Sequence, residues 1–161
     1  MKKGIVARVM SIASFAAGVV LGGKILVGMI NDYKKRMERN YSNMILFNDW
    51  LEFVYSGGSI EQYFHDNGYK KIMIYGNGYI GKRLQQALAG SEIEVAAVMD
   101  KSVVADGNGI LIGTDSEIPN VDCMVITPVY YHDEIYAMLR EKSNVPIVSI
   151  QTVIEKDVKI N

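Results

Sequence analysis

The chain has 161 residues, a formal net charge of −1, two histidines and one cysteine. The length limits it to one or two domains. The near-neutral charge argues against a nucleic-acid partner, a single thiol excludes an internal disulfide, and so few histidines and cysteines argue against a zinc site.

The first thirty residues are almost wholly apolar. From Gly4 to Ile30 only Arg8 and Lys24 are charged, and fifteen uncharged residues separate them. Because a bilayer core needs about 20 residues of helix, the pattern predicts a membrane anchor over residues 4–30. A cleaved secretory signal and an amphipathic helix lying on the membrane surface are the alternatives.

Two further features of this segment bear on its environment. Small residues recur every four positions at Ser14, Gly18 and Gly22, a spacing that lets two helices approach closely and favours a homo-oligomer. More lysines and arginines follow the segment than precede it, which favours a cytoplasmic C-terminal part. The sequence therefore predicts a single-pass protein of the cell membrane with its C-terminal domain in the cytoplasm.

Residues 31–67 predict a helical linker that packs on the domain after it. The first half of this stretch is charged, whereas the second half has an apolar face that includes Trp50. Gly57 and Gly58 end the first helix of this stretch. Ser59, with Gln62 three residues later, begins a short second one.

From residue 68 to 161, apolar strands alternate with helices. Strands are predicted over 71–75, 93–99, 110–112, 122–127 and 146–150, with helices over 79–89 and 131–141. This alternation predicts an α/β fold, a small Rossmann-like parallel sheet with helices on both faces. In the complete chain it is preceded by the transmembrane helix and the second helix.

The turn after the first strand reads Gly76-Asn77-Gly78-Tyr79-Ile80-Gly81. In a nucleotide site the first glycine of such a motif permits the tight turn, and the second lets a pyrophosphate approach the backbone. The third lets the next helix pack closely on the sheet. The free N–H groups of that helix's first turn then face the phosphate.

Two other segments are expected at the same edge, because parallel sheets bind ligands beyond the carboxyl ends of their strands. Asp100 ends the second strand, where a carboxylate can accept both hydroxyls of an unphosphorylated ribose. Thr127 and Pro128 end a later strand. The predicted binding residues are therefore Gly76, Asn77, Gly78, Tyr79, Ile80, Gly81, Asp100, Lys101, Thr127 and Pro128.

The segments KKIMIYGNGYIGKRLQQAL, IEVAAVMDKS, DCMVITPVYYHDEI and PIVSI resemble the small Rossmann-like modules of bacterial polysaccharide and nucleotide-sugar enzymes. They are similar to the front domains of sugar-nucleotide dehydratases and of sialic-acid-type O-acyltransferases, over residues 68–150. The resemblance implies NAD, a nucleotide sugar or another nucleotide at the predicted residues. Unlike those enzymes, this sequence shows no catalytic domain after the module, so we expect an accessory or sensing role, beside a partner, in cell-surface polysaccharide synthesis.

The sequence predicts no catalytic residue and no metal ligand. A dehydrogenase needs groups that hold the substrate and move protons beside the nicotinamide, and the sheet uses all of the chain that follows the first strand. His132 is the one candidate general acid or base. Binding is favoured over turnover. The alternatives are a degenerate scaffold that acts through protein contacts alone, and an oxidoreductase or sugar-modifying enzyme completed by a partner.

Overall fold

The computed structural model describes residues 2–102 and 110–155, with side chains from residue 18 onward. The chain divides into two compact units, residues 1–41 and 42–161. The first helix, α1 (Lys2–Tyr55), is unbroken over 54 residues. It supplies the whole of the described secondary structure of the first unit and the first helix of the second.

The prediction of a transmembrane helix is wrong. Residues 4–30 are helical, but no helix in the described ranges is long and apolar enough to cross a membrane. Side chains are described from residue 18 onward, and within that part of the helix only seven residues separate Lys24 from Asp32, fewer than the about 20 that a bilayer core needs. The predicted single-pass localisation, with its cytoplasmic C-terminal domain, is overturned by the same finding.

The second unit continues from α1 with short helices and strands in alternation. Its elements are α2 (Ile60–Asp66), β1 (Lys71–Tyr75), α3 (Tyr79–Ala87), β2 (Glu94–Asp100), β3 (Leu111–Gly113), β4 (Cys123–Ile126), a 3₁₀ helix (Val129–Tyr131), α4 (His132–Lys142), β5 (Ile147–Ser149) and α5 (Ile150–Ile154).

The five described strands form one sheet in the order β3-β2-β1-β4-β5, and every neighbouring pair is parallel. The predicted parallel α/β sheet is confirmed, and its strand order is compatible with a Rossmann-like fold. The path of the chain through the sheet begins at the central strand, β1, and continues outward through β2 to β3. It then returns to form β4 and β5 on the other side of β1. The winding therefore reverses between β1 and β4, where the ends of such strands leave a crevice.

Helices cover both faces of the sheet, as the apolar strands predict. Ile72 and Ile74 of β1 pack on one side, while Met73 and Tyr75 pack on the other. The first side is covered by the end of α1 together with α2, α3 and α5, which contribute Leu46, Trp50, Phe53, Ile60, Phe64, Ile80, Leu84, Val153 and Ile154. The second side is covered by α4, which contributes Ile135 and Leu139.

The packed end of α1 also fixes where the helix stops. Gly57 has φ +83, a left-handed conformation that favours glycine. Its N–H bonds the Val54 carbonyl, and the N–H of Gly58 bonds the Phe53 carbonyl, both at 2.9 Å. This pair of bonds is a Schellman ending, so the two glycines end the helix as predicted.

Candidate functional site

The turn between β1 and α3 is three residues long, from Gly76 to Gly78. Gly76 has φ +105, which side chains rarely adopt. A Cβ there would also lie 2.6 Å from the hydroxyl oxygen of Thr127. The Gly76 N–H donates to the Met99 carbonyl at 2.7 Å, which extends the pairing of β1 with β2. Both the backbone and the packing therefore require glycine at this position.

Gly81 has a different reason to be glycine. It lies in the first turn of α3, where a Cβ would overlap the carbonyl oxygen of Gly76 and stand 3.3 Å from the Thr127 hydroxyl. The backbone fixes the place of a Cβ, and the atom it would overlap is a main-chain oxygen, so no rotamer change relieves the overlap. Gly81 therefore allows α3 to start directly against the end of β1, the packing role expected of the third glycine.

Gly78 is required by neither backbone nor packing. Its φ is −76, which any residue can adopt. Apart from its two neighbours in the chain, nothing lies within 4 Å of the place where a Cβ would stand. It is the N-cap of α3, and no side chain caps that end of the helix. The N–H groups of a first helical turn have no partner within the helix. Gly78 therefore borders open space at a helix start.

Thr127 and Pro128 support the turn from the neighbouring strand β4. The Thr127 side chain is buried, at 2% exposure. Its hydroxyl donates to the Tyr75 carbonyl at 2.9 Å and lies 3.3 Å from the Gly76 carbonyl. The ring of Pro128 lies 2.9 Å from the place where a Cβ of Gly76 would stand. These two predicted site residues thus hold the turn in shape, with the Thr127 hydroxyl committed to main-chain oxygens.

Asp100 bonds the turn as well. One carboxylate oxygen accepts the Asn77 N–H at 2.7 Å. The other accepts the N–H of Ser102 at 2.9 Å and its hydroxyl at 2.5 Å. A carboxylate has about four acceptor positions, so these three donors leave about one for a ligand. The predicted grip on both hydroxyls of a ribose would need Ser102 to move away.

The charge of Asp100 follows from the same contacts. Burial raises the pKa of its carboxyl, but the hydrogen bonds from Ser102 and Asn77 and the positive charge of Lys101 outweigh burial and hold the pKa below its usual value. The carboxylate is ionised at neutral pH. Asp100 therefore fixes the direction of the Asn77 amide through a charge-assisted bond.

Lys101 reaches across the end of the sheet. Its Nζ lies 5.3 Å from the centre of the Tyr131 ring, a cation–π distance, and Tyr131 follows β4. Because β1 lies between β2 and β4, this contact passes over the end of β1. The Tyr130 ring packs edge-on against Tyr131 at 4.9 Å. The β2 and β4 ends and the glycine turn therefore meet at one edge.

Tyr75 is a residue of this edge that sequence reasoning missed. It ends β1 and is 6% exposed. Burial, together with the negative charge of Asp100, raises the pKa of its hydroxyl. Its only signal in the sequence is a polar aromatic residue as the last of an otherwise apolar strand.

Tyr79 and Ile80 separate in the structure. Ile80 is buried in the core beneath α3, so it packs and does not face a ligand. Tyr79 is 63% exposed, and its ring lies 5.1 Å from that of Phe47 and 5.2 Å from the Arg83 guanidinium carbon.

The remaining titratable candidates make local contacts. His132 begins α4, its Nδ1 lies 3.0 Å from an oxygen of the adjacent Asp133, and its ring stacks on Tyr136 at 5.9 Å. Cys123 is fully buried in β4, and burial raises the pKa of its thiol to about 12. Among the described residues, no group of three ligating side chains could hold a metal ion.

No protein-family model, curated protein or solved structure matches the chain. The resemblance to nucleotide-sugar enzymes therefore stays a prediction from the motifs. The fold and the turn define a class, an α/β module with a parallel sheet compatible with the Rossmann type. At the carboxyl edge of that sheet, Asn77, Gly78 and Asp100 border the open end of α3.

Proposed function

We propose that the second unit binds a nucleotide, NAD or a nucleotide sugar, with a phosphate at Gly78 and the first turn of α3. The observation that supports this most directly is the space at Gly78. The fold itself accounts for Gly76 and Gly81, whereas a Cβ at Gly78 would meet nothing within 4 Å apart from its two neighbours in the chain. An approaching phosphate gives that position a reason to lack a side chain.

The electrostatics of the turn suit an anion. The start of α3 carries the positive end of a helix dipole, and its amides are not capped by a side chain. Lys82 and Arg83 follow Gly81 and are exposed, and Lys101 lies at the same edge of the sheet. Asp100 adds a negative charge there, but its bond to Asn77 places that charge on the β2 side of the turn. A sugar fits there better than a phosphate does.

The biological role that fits this site is a binding or sensing one. The motif resemblance favours an accessory subunit beside a partner in cell-surface polysaccharide synthesis. Within the described residues the open turn is bordered by backbone amides and one committed carboxylate, a set suited to holding a ligand. A reaction would need a proton-transfer group from elsewhere.

The test is a thermal-shift and calorimetry panel on the full chain with NAD, NADH, UDP-glucose and AMP. Gly78→Ala is the informative variant, because its methyl group fits the fold but occupies the phosphate position. We expect at least one ligand to stabilise the parent, by about 2.7 kcal/mol at a hundredfold excess over Kd. We expect Gly78→Ala to abolish that shift.

Gly28→Ala is the matched control. It makes the same chemical change at a glycine of α1 with open space around its Cβ position, so it should bind as the parent does. Binding that survives in Gly78→Ala would place the ligand elsewhere. The absence of a shift with every ligand of the panel would contradict the proposal.

A protein-contact scaffold is the second candidate. The observation that favours it is the commitment of Asp100, whose acceptor positions are mostly used by Asn77 and Ser102. In a scaffold the same bonds would serve only to stiffen the edge of the sheet. This function predicts that none of the four ligands binds either the parent or Gly78→Ala.

A further inference from the structure

We propose that α1 pairs with α1 of a second copy of this chain, parallel and in register, along a seam of exposed apolar side chains. The seam consists of Leu26, Ile30, Tyr33, Met37 and Tyr41. These residues follow one another at spacings of four, three, four and four, so they share one face of the helix. Each is between 56% and 67% exposed.

The opposite face of the same stretch is charged. Asp32, Lys35 and Arg39 follow at i, i+3 and i+7, and all three are exposed. A narrow apolar stripe backed by charges is typical of a coiled-coil seam, whereas a helix packed on a globular core has a broader apolar face. The seam also persists through residues 31–41, of which six are charged. This pattern suits a second helix.

The area of the seam is sufficient for a second copy. Within the first unit the described secondary structure is this one helix, so no other described element of the unit covers the stripe. Helices gain most of their stability from packing an amphipathic face. Burying five such side chains on each of two helices removes on the order of 1,000 Å² from water. That is about the size at which specific interfaces begin.

The charges beside the seam favour the parallel orientation. With Met37 at a heptad a position, Arg36 is at g and Tyr41 at the following e. Parallel helices pair g with the next e, which puts Arg36 of one copy beside Tyr41 of the other, a cation–π pair. Antiparallel helices pair g with g and e with e. An antiparallel pair centred on this stretch would therefore bring Arg36 or Lys34 of one copy against the same residue of the second copy. Such like-charge pairs are unfavourable.

The pairing goes beyond nucleotide binding and does not depend on it. A closed two-fold dimer would hold two copies of the α/β unit. The stripe of Ser14, Gly18 and Gly22 predicted as a contact face takes no part in the seam, and Ser14 lies outside the residues whose side chains are described. The seam therefore rests on larger side chains further along the helix.

Cysteine cross-linking of the full chain tests the seam. The native Cys123 is fully buried, so it does not compete with an introduced surface thiol. Met37→Cys lies on the seam, and Lys35→Cys lies on the charged face. Under mild oxidation with copper–phenanthroline we expect Met37→Cys to form a disulfide-linked dimer and Lys35→Cys to stay monomeric. Equal cross-linking of both, or none at position 37, overturns the proposal.

Sedimentation of the reduced chain supplies a second measurement. We expect the parent to be a dimer, and Met37→Lys to raise the dimer dissociation constant about tenfold or more, because two charges would be buried in the seam. Lys35→Glu is the control on the opposite face and should leave the constant unchanged. Circular dichroism checks that both variants keep the helix. A parent chain that is monomeric at every concentration overturns the proposal, as does a dimer that Met37→Lys leaves intact.

Discussion

At each of two edges of the sheet, the amino and the carboxyl edge, an aspartate accepts backbone N–H groups. At the amino edge, Asp122 accepts the N–H groups of Lys70 and Lys71, both at 2.8 Å. At the carboxyl edge, Asp100 accepts hydrogen bonds from the N–H of Asn77 and from the N–H and hydroxyl of Ser102. Each aspartate ties the start or end of β1 to a neighbouring segment. A strand-end carboxylate therefore does not mark a ligand site by itself.

What distinguishes the carboxyl edge is the space beside its aspartate. The amino edge is joined on its exposed surface by a further ion pair, Lys71 Nζ to Glu94 Oε1 at 2.8 Å, between β1 and β2. The carboxyl edge has three glycines in six residues, and one of them, Gly78, faces open space. The open space at Gly78 therefore distinguishes the carboxyl edge from the amino edge.

Gly81→Ala should have the largest effect. Its methyl group would overlap the Gly76 carbonyl oxygen, so we expect a loss of about 3 kcal/mol in the free energy of unfolding, measured by urea denaturation. Gly78→Ala, three residues earlier with open space around its Cβ position, should cost about 1 kcal/mol or less. Equal losses of unfolding free energy in the two variants would show that Gly81 is no more tightly packed than Gly78.

Thr127→Val should be next in size. The two side chains have nearly the same shape, but valine lacks the hydroxyl that donates to the Tyr75 carbonyl. We expect a loss of about 1 kcal/mol in unfolding free energy, together with weaker nucleotide binding if the turn loosens. Thr152→Val on the exposed surface of α5 is the control and should stay within about 0.5 kcal/mol of the parent. Matching results for both would mean that the Thr127 hydroxyl does not support the turn.

Substituting each aspartate by asparagine separates the two edges directly. Asp122 uses a single oxygen for both of its backbone bonds, which the amide oxygen of asparagine can replace. Asp100 uses both oxygens, and asparagine has only one acceptor oxygen. We therefore expect Asp100→Asn to cost about 1 kcal/mol and Asp122→Asn to cost less in the same urea measurement. The reverse order would show that the carboxyl edge is the less dependent on its aspartate.

The pH dependence of stability should be the smallest effect. Hydrogen bonds from Lys70 and Lys71 lower the pKa of Asp122, and the pKa of Asp100 is also below its usual value. A lowered folded-state pKa adds stability above the unfolded value of about 3.9. That stability is lost as the pH falls through the folded-state pKa. We expect urea midpoints to fall below about pH 4, and less steeply in either asparagine variant. An unchanged slope would indicate that these carboxylates do not contribute.

The sequence predicted the sheet well because its strands are short apolar runs. The predicted 71–75 strand is β1 as observed, and the 122–127 strand contains β4. The glycine spacing also placed the turn correctly between β1 and α3. These features follow from local rules of composition and periodicity, which act without knowledge of distant residues.

Three features could not be read from local pattern. The apolar composition of residues 4–30 predicts a membrane anchor, but no helix in the described ranges is long and apolar enough to cross a membrane. The partners of Asp100 depend on how close β2 lies to the turn, a distance set by the whole sheet. The clamp of Thr127 on Tyr75 joins residues 52 apart in sequence, which no periodicity reveals.

The outermost strands have a consequence for how copies of this chain meet. β3 and β5 are each three residues long, and the last residue of β5, Ser149, turns into α5 by accepting the Gln151 N–H. Edge strands this short offer few unpaired N–H and C=O groups to the backbone of another chain. The sheet is thereby protected against growing into fibrils or ribbons, and cohesion between molecules is left to side chains on helices.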